Sequence, residues 1–311
     1  MVAPLTDKQV RRMDKRFGPV PSSVNLGTYL RDAVGGFGQV GKVFYCDPTS
    51  GNDANDGTSS TKAKKTMNAA IGLCEANRGD LIIRMRGGEE VTETVAFDVA
   101  GITVVTENYG AAPIATGELF STYSAAAFTD GPAATITERC TLIGLGFISR
   151  DVGATFYGGA ACLIGGVGAA TPFGVHMIGC RFPKWNYTNR IGLAIEGSSD
   201  CTIEHCFFEG VGADFDSGIY VQGATQNLEI KDCRFRDCTY GILCGAFAGG
   251  GPHAIIKGNV CEDSKLFSAG TGTGILVDNW CEGATDTGSY NDTVDNLNTA
   301  GWVFTGQHYA E

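Results

Sequence analysis

Asp214 and Asp216 stand two residues apart in Gly212-Ala-Asp-Phe-Asp-Ser-Gly218. In an extended segment, alternation turns both carboxylates to one side. A pair about 5 to 9 Å apart is what glycoside hydrolysis needs for an acid and a nucleophile or base. Glu204 and His205, with Glu209, come from the same stretch and complete this candidate catalytic set. The competing reading is a solvated turn in which Asp serves as a turn former. A second acidic group, Asp47, Asp53 and Asp56 with Asn52 and Asn55, offers the hard oxygen ligands that suit Ca²⁺. It lacks the spacing and terminal Glu of an EF-hand loop, and turn chemistry at a domain entrance explains the same residues. Cys201, His205 and Cys206 suggest zinc, as do Cys233 and Cys238, yet no Cys-x-x-Cys pair is present. The chain also has no phosphate-binding loop, nucleophile elbow or dinucleotide fingerprint. No cofactor is expected.

Composition limits the scaffold on which such groups sit. The 311 residues include 45 Gly, 12 Cys and 9 Pro, so glycine is about twice its usual share. There is no Gly-X-Y period, which excludes collagen, and 43% hydrophobic residues exclude a disordered chain. No apolar run is long enough for a membrane span. The start, Met-Val-Ala-Pro-Leu-Thr-Asp-Lys8, has no basic stretch leading into an apolar one. Export by the Sec route is therefore not expected, and the cysteines read as reduced thiols acting as small hydrophobes. With 23 basic against 34 acidic residues, the net charge is −11, so nucleic acid is not an expected partner.

The charge is uneven. Residues 1–20 carry Lys8, Arg11, Arg12, Lys15 and Arg16 against Asp7 and Asp14, a net +3. Thr6 to Gln9 fits a capping box. Val10, Met13 and Phe17 then share one helical face, and Gly18-Pro19 stops the helix. Residues 1–40 thus read as an N-terminal arm. Its helix either packs on its own body or anchors on a partner or sister subunit, with Val10, Arg11, Arg12, Met13, Lys15, Arg16 and Phe17 as the contact residues. Residues 41–110 form an entry unit with strands at Val43–Asp47, Leu81–Met85, Val91–Phe97 and Ile102–Thr106. Met67, Ala70, Ile71 and Cys74 predict a short amphipathic helix ending near Asn77 that plugs an open end.

From residue 111 to 287 the chain repeats. Five segments align without gaps and end at Phe147, Phe182, Phe208, Phe235 and Cys261, spaced 35, 26, 27 and 26 residues apart. A second family of short strands lies between them: Ala161–Gly165, Gly192–Glu196, Gly218–Gln222, Gly241–Gly245 and Gly274–Asp278. One period of about 26 residues therefore makes one coil of a solenoid. Within the first family three columns are apolar, and the odd step to the Phe column requires a bend or bulge. At that bend stand Leu145, Cys180, Cys206, Cys233 and Asn259, a stacked ladder of small residues. Thr202/Glu229, Glu204/Lys231/Lys257 and His205/Asp232 are expected to face water. Glycines are expected at coil corners, where positive φ is cheap. About eight coils fit between residues 79 and 285. Residues 288–311 leave the pattern and either cover the last coil or form a subunit interface.

This repeat, with Asn259 at the bend, resembles the right-handed parallel β-helix proteins of the pectate-lyase-like superfold. Gly51-Asn-Asp-Ala-Asn-Asp-Gly57, Thr66-Met-Asn-Ala-Ala70 and Gly79-Asp80 resemble the opening of many such domains. The resemblance covers about residues 43–285 and implies an all-β solenoid with short N-terminal helices. Pectate lyases carry a Trp-Ile-Asp-His signature, and polygalacturonase-type hydrolases carry Asn-Thr-Asp, Asp-Asp, Gly-His-Gly and Arg-Ile-Lys. None of these occurs here. The basic arm ahead of an acidic body further resembles tailed-bacteriophage virion proteins. That resemblance implies a homotrimeric, non-enzymatic capsid decoration or short spike, assembled in the host cytoplasm and bound to other capsid or tail proteins, with host surface polysaccharide as a further partner. The alternative is a polysaccharide depolymerase on the same scaffold.

Overall fold

The computed structural model describes residues 41–85, 90–107, 121–124, 132–148, 160–165, 172–183, 191–210, 217–223, 225–245, 252–262, 265–269, 273–282, 294–295, 302–305 and 308–310. The arm, including Val10 to Phe17, lies outside these residues, as do Asp214 and Asp216. Among the described residues no helix is long and apolar enough to cross a membrane.

The chain winds as a parallel β-helix. Three sheets, A, B and C, contain 10, 9 and 8 strands among the described residues, and their pairings between successive coils run parallel, as in Thr202–Glu204 with Leu228–Lys231. Each full coil passes through A, B and C in turn, for example Thr202–Glu204, Phe207–Glu209 and Ser217–Gln222. Where two strand families were expected, there are three, because the bend inside the first family is a sheet corner. Its cause is local. Gly144, Gly179, His205, Asp232, Gly258 and Asp278 all hold φ between 49 and 70°. A left-handed residue at the same place in each coil turns the chain sharply from A to B. Glycine takes this conformation freely, and Asp and His are among the side-chain-bearing residues most often found there. His205 is thus a corner residue.

Immediately after each corner comes the ladder, and its hydrogen bonds explain the residue types. The thiols of Cys180, Cys206 and Cys233 point at the carbonyls of Leu142, Met177 and Ile203 at 3.6, 3.8 and 3.5 Å. The amides of Asn259 and Asn279 donate to Ile230 O and Ile256 O, both at 3.1 Å. In every case this acceptor lies one coil back in the same column. The single hydrogen of each thiol is shared with the carbonyl two residues earlier, Ile178, Glu204 and Lys231 at 3.8, 3.4 and 3.4 Å, whereas the asparagine amide has two hydrogens to give. Cysteine thus makes a weaker form of the same donation. Asn259 does more, since its Oδ1 also accepts the N–H of Cys233 at 2.9 Å.

Next to the ladder, the rings of Phe182, Phe208 and Phe235 stack with centroids 4.5 and 5.0 Å apart. Phe147 and Phe97 extend this column toward the N-terminus. A Cβ on Gly218 would sit 2.6 Å from the Phe235 ring, and one on Gly192 would sit 2.9 Å from the Phe208 ring. These two glycines lie within sheet C strands, so they make room for the aromatic stack; the corner role expected of glycine holds elsewhere. The core continues with Cys162, Leu193, Ile219 and Ile242 stacked in register.

Some boundaries differ from expectation. The helix is only Met67–Ile71, capped by Thr66 Oγ1. Asn77 instead takes a left-handed conformation, and its N–H reaches Ala100 O. Met67, Ala70 and Ile71 are buried in the main core. The stretch from Val91 to Phe97 divides into Glu90–Thr92 in sheet B and Val95–Phe97 in sheet C. Between them Glu93 accepts the N–H groups of Met67 and Asn68, which fastens the helix over the first coil. Thr273–Val277 was expected in the second strand family, but it pairs with His253–Lys257 in sheet A. Lys265–Ala269 is the sheet C strand of the coil before it, which starts at His253–Lys257. Val294–Asp295, Trp302–Thr305 and His308–Ala310 prolong all three sheets, so the tail adds strands to the solenoid. Sheet A has eight strands between residues 79 and 285, as the period predicts, and Val43–Cys46 and Trp302–Thr305 bring it to ten, an axial length of about 43 Å.

Asn259→Ala would leave the buried Cys233 N–H without a partner and remove the second donor to Ile230 O. The expected loss is about 2 to 3 kcal/mol in urea unfolding. Asn259→Cys should cost about half as much, because a thiol there can repeat the donation that Cys233 makes to Ile203 O.

Candidate functional site

The described chemical groups gather on the outward sides of sheets A and B. Along sheet A, cross-strand register places His176, Thr202 and Glu229 in one column. Ile178, Glu204, Lys231 and Lys257 form the next. Since outward positions alternate with core positions, both columns face solvent. Their side chains form a zigzag. His176 Nε2 lies 2.9 Å from Glu204 Oε1, and Lys231 Nζ lies 3.0 Å from Glu204 Oε2. Glu229 then bridges Lys231 at 3.2 Å and Lys257 at 2.7 Å. The network spans four successive strands.

These contacts set the protonation of the group that sequence singled out. The hydrogen bond from His176, reinforced by Lys231, outweighs burial and holds Glu204 down at about 2. Lys257, then Lys231, also lowers Glu229. Burial alone would lower Lys231, but Glu204 and Glu229 raise it. A carboxylate held this far below the neutral range is a poor proton donor at pH 7. Glu204 and His205 are adjacent in sequence but serve different parts of the coil. Glu204 joins the surface network, while the His205 N–H bonds Lys231 O at 3.2 Å as part of the corner.

Sheet B presents a different outward column: Arg181, Phe207, Arg234, Val260 and Trp280. The Arg181 guanidinium lies 5.4 Å from the centre of the Phe207 ring, and its Nη2 is 3.6 Å from Glu209. Arg234 pairs with Glu262. Both ion pairs again join neighbouring coils.

The acidic entry loop is built from turns. Asp47 accepts the N–H groups of Thr49 and Ser50, both at 3.0 Å. Asp53 accepts those of Lys65 and Thr66, both at 2.8 Å, and Asp56 accepts from Thr58 at 2.9 Å. Burial would raise Asp53, but the Thr66 and Lys65 donors bring it below its ordinary value. The three carboxylates serve three separate turns, and among the described residues no three His, Cys, Asp or Glu side chains converge as a metal site. Eleven of the described cysteines are thiols outside any disulfide. Burial pushes the Cys46 thiol up to about 12 and drives Cys162 and Cys206 well above the ordinary range.

Sequence alignment of the coils brought Glu204, Lys231 and Lys257 into one column, and Thr202 and Glu229 into another. It missed His176 as a member because the neighbouring coil places Thr202 in that column. It also missed Asn279, although Asp278-Asn279 repeats the corner-plus-ladder pair Asp232-Cys233.

A family model described as "Right handed beta helix region" matches residues 133–310. No curated protein matches the chain. Among solved structures, pectate lyase Pel9A aligns with a TM-score of 0.54 and 14% identity over 88% of this chain and 78% of that one. Escherichia coli ybhc aligns with a TM-score of 0.51 and 13% identity over 98% of this chain and 94% of that one. Pectin methylesterase PemA from Erwinia chrysanthemi gives 0.50 and 10%, over 86% and 89%. At such identities the likeness is one of fold.

The Glu204 network has a defined pH window. Its carboxylate is held below the ordinary value of 4.5, so its stabilisation is full above pH 4.5 and is lost as pH falls through about 2. After allowance for solvent screening, Glu204→Gln should cost about 1 to 2 kcal/mol at pH 7. In paired denaturation curves, that difference should vanish by about pH 2.

Proposed function

This chain belongs to the right-handed β-helix family, and from that premise we propose that it is a non-enzymatic structural protein of a phage virion. In this reading it is a capsid decoration or short spike, fastened by residues 1–40 to other capsid or tail proteins and assembled as a homotrimer. The observation that carries the reading is the use made of charge on the described faces. His176–Glu204, Glu204–Lys231, Glu229–Lys257, Arg181–Glu209 and Arg234–Glu262 each tie one coil to the next. Groups that sequence offered for catalysis thus stiffen a rod, which suits a load-bearing or display role. The free, buried thiols support assembly in a reducing host cytoplasm. Host surface polysaccharide is the external partner in this proposal.

A polysaccharide depolymerase is the second reading. It is favoured by Asp214 and Asp216, which directly precede the sheet C strand Ser217–Gln222. Two fold neighbours, a pectate lyase and a pectin methylesterase, point the same way.

Purified protein incubated with a panel of host capsular and O-antigen polysaccharides separates the two. The structural reading predicts no new reducing ends and no unsaturated products. Cleavage that disappears in Asp214→Asn would replace it with the depolymerase. For the anchor, protein lacking residues 1–40 should keep its β-sheet circular dichroism but no longer join particles. Normal incorporation would remove the arm from the account.

A further inference from the structure

Three of the four large apolar side chains that stand exposed among the described residues lie together near the C-terminal end. Ile255 and Ile275 are 46% and 41% exposed, and Trp280 is 46% exposed. Ile255 and Ile275 are register partners on the outward side of sheet A. Trp280 follows Ile275 around the Asp278–Asn279 corner onto sheet B, beside Val260. The first coils treat such residues differently. Outward Ile83, Val105 and Ile143 of the same sheet are buried in a cluster of their own. Among the described residues, outward apolar surface is therefore covered at one end of sheet A and exposed at the other.

Charge identifies the occupant. The strands of sheets A and B from His176 onward contain Arg181, Lys231, Arg234, Arg236 and Lys257 against Glu204, Glu209, Glu229, Glu262 and Glu282, a net of zero. The whole chain carries −11. Two copies of an acidic body repel each other, and the strands of these two faces carry no part of that net charge. We propose that the corner between sheets A and B near the C-terminus is the contact between copies of this chain. Sheet A of one copy, through Ile255 and Ile275, packs against sheet B of the next, through Val260 and Trp280. Lys257 on the first face then meets Glu262 on the second. Unlike faces make a head-to-tail contact, which closes into a ring when the rotation between neighbouring copies divides a full turn. A corner with a neutral face on each side fits that geometry, with the corner directed at the axis. This inference rests on the trimeric reading above and adds the surface that forms it.

Light scattering on the size-fractionated full chain and on the double variant Ile255→Glu, Ile275→Glu tests the proposal. The wild type should be a trimer at micromolar concentration, and the double variant a monomer with unchanged circular dichroism. Its dissociation constant should rise by at least about 100-fold, given the cost of burying unpaired carboxylates. A wild-type trimer that survives the double substitution overturns the placement of the contact and leaves the trimeric reading standing. A wild type that is monomeric throughout overturns both, and with them a second copy as the occupant. If the double variant does not fold, Ile275→Ser, a conservative loss of apolar surface at an exposed site, should still weaken association about tenfold; unchanged association would overturn the proposal.

Discussion

The structure depends on one repeated hydrogen bond: a small side chain just past the corner donates to a backbone carbonyl one coil back. From Cys180 to Asn279 the donor changes between thiol and amide, yet the acceptor column is continuous through Leu142, Met177, Ile203, Ile230 and Ile256. Each acceptor lies within a sheet A strand, so the side chain adds a second donor to a carbonyl that also sits in the ladder. From Cys180 onward that side chain is short, carries a donor and follows a left-handed residue, and Cys and Asn meet those demands. Leu145 holds the same place after Gly144 and fills it by apolar packing alone. Once this bond fixes the axial register, Phe182, Phe208 and Phe235 have little choice but to stack face over face. Gly192 and Gly218 must then remain without side chains beneath them.

The same register determines what the outer faces can do. In-register stacking turns each outward column into a line of side chains about 4.8 Å apart, so like charges in one column would repel. Where Lys231 and Lys257 do stack in one column, the sequence compensates by setting carboxylates in the adjacent column and coil. Glu204 thereby receives both His176 and Lys231, and Glu229 receives both Lys231 and Lys257. The cost of gathering so many ionisable groups on one narrow surface is offset by pairing nearly all of those described. Toward the C-terminal end, the pattern gives way to isoleucine and tryptophan.

Much of this was legible in the sequence because a solenoid writes its packing as aligned columns. The period, the apolar columns and the ladder residues Cys180, Cys206, Cys233 and Asn259 could be read directly. The corner was harder. A left-handed backbone leaves no fixed residue type, and Gly179, His205 and Asp232 look unrelated until their φ values are compared. Thr273–Val277 was assigned to the wrong strand family because Gly274-Ile-Leu-Val begins like Gly241-Ile-Leu-Cys; only Asp278-Asn279 betrays the sheet A corner. The candidate catalytic set divided for a related reason. Sequence adjacency placed His205 beside Glu204, whereas the coil turns between them.

Hydrogen exchange at the corners tests the central claim most directly. If the ladder holds the coils in register, the amides of Cys233 and Asn259, which donate to the side-chain oxygens of Asn259 and Asn279, should exchange as slowly as the sheet amides of Glu229 and Arg234. Exchange at those two amides as fast as in the entry turns around Ala54 and Thr58 would show that the corners open independently, and would contradict the account.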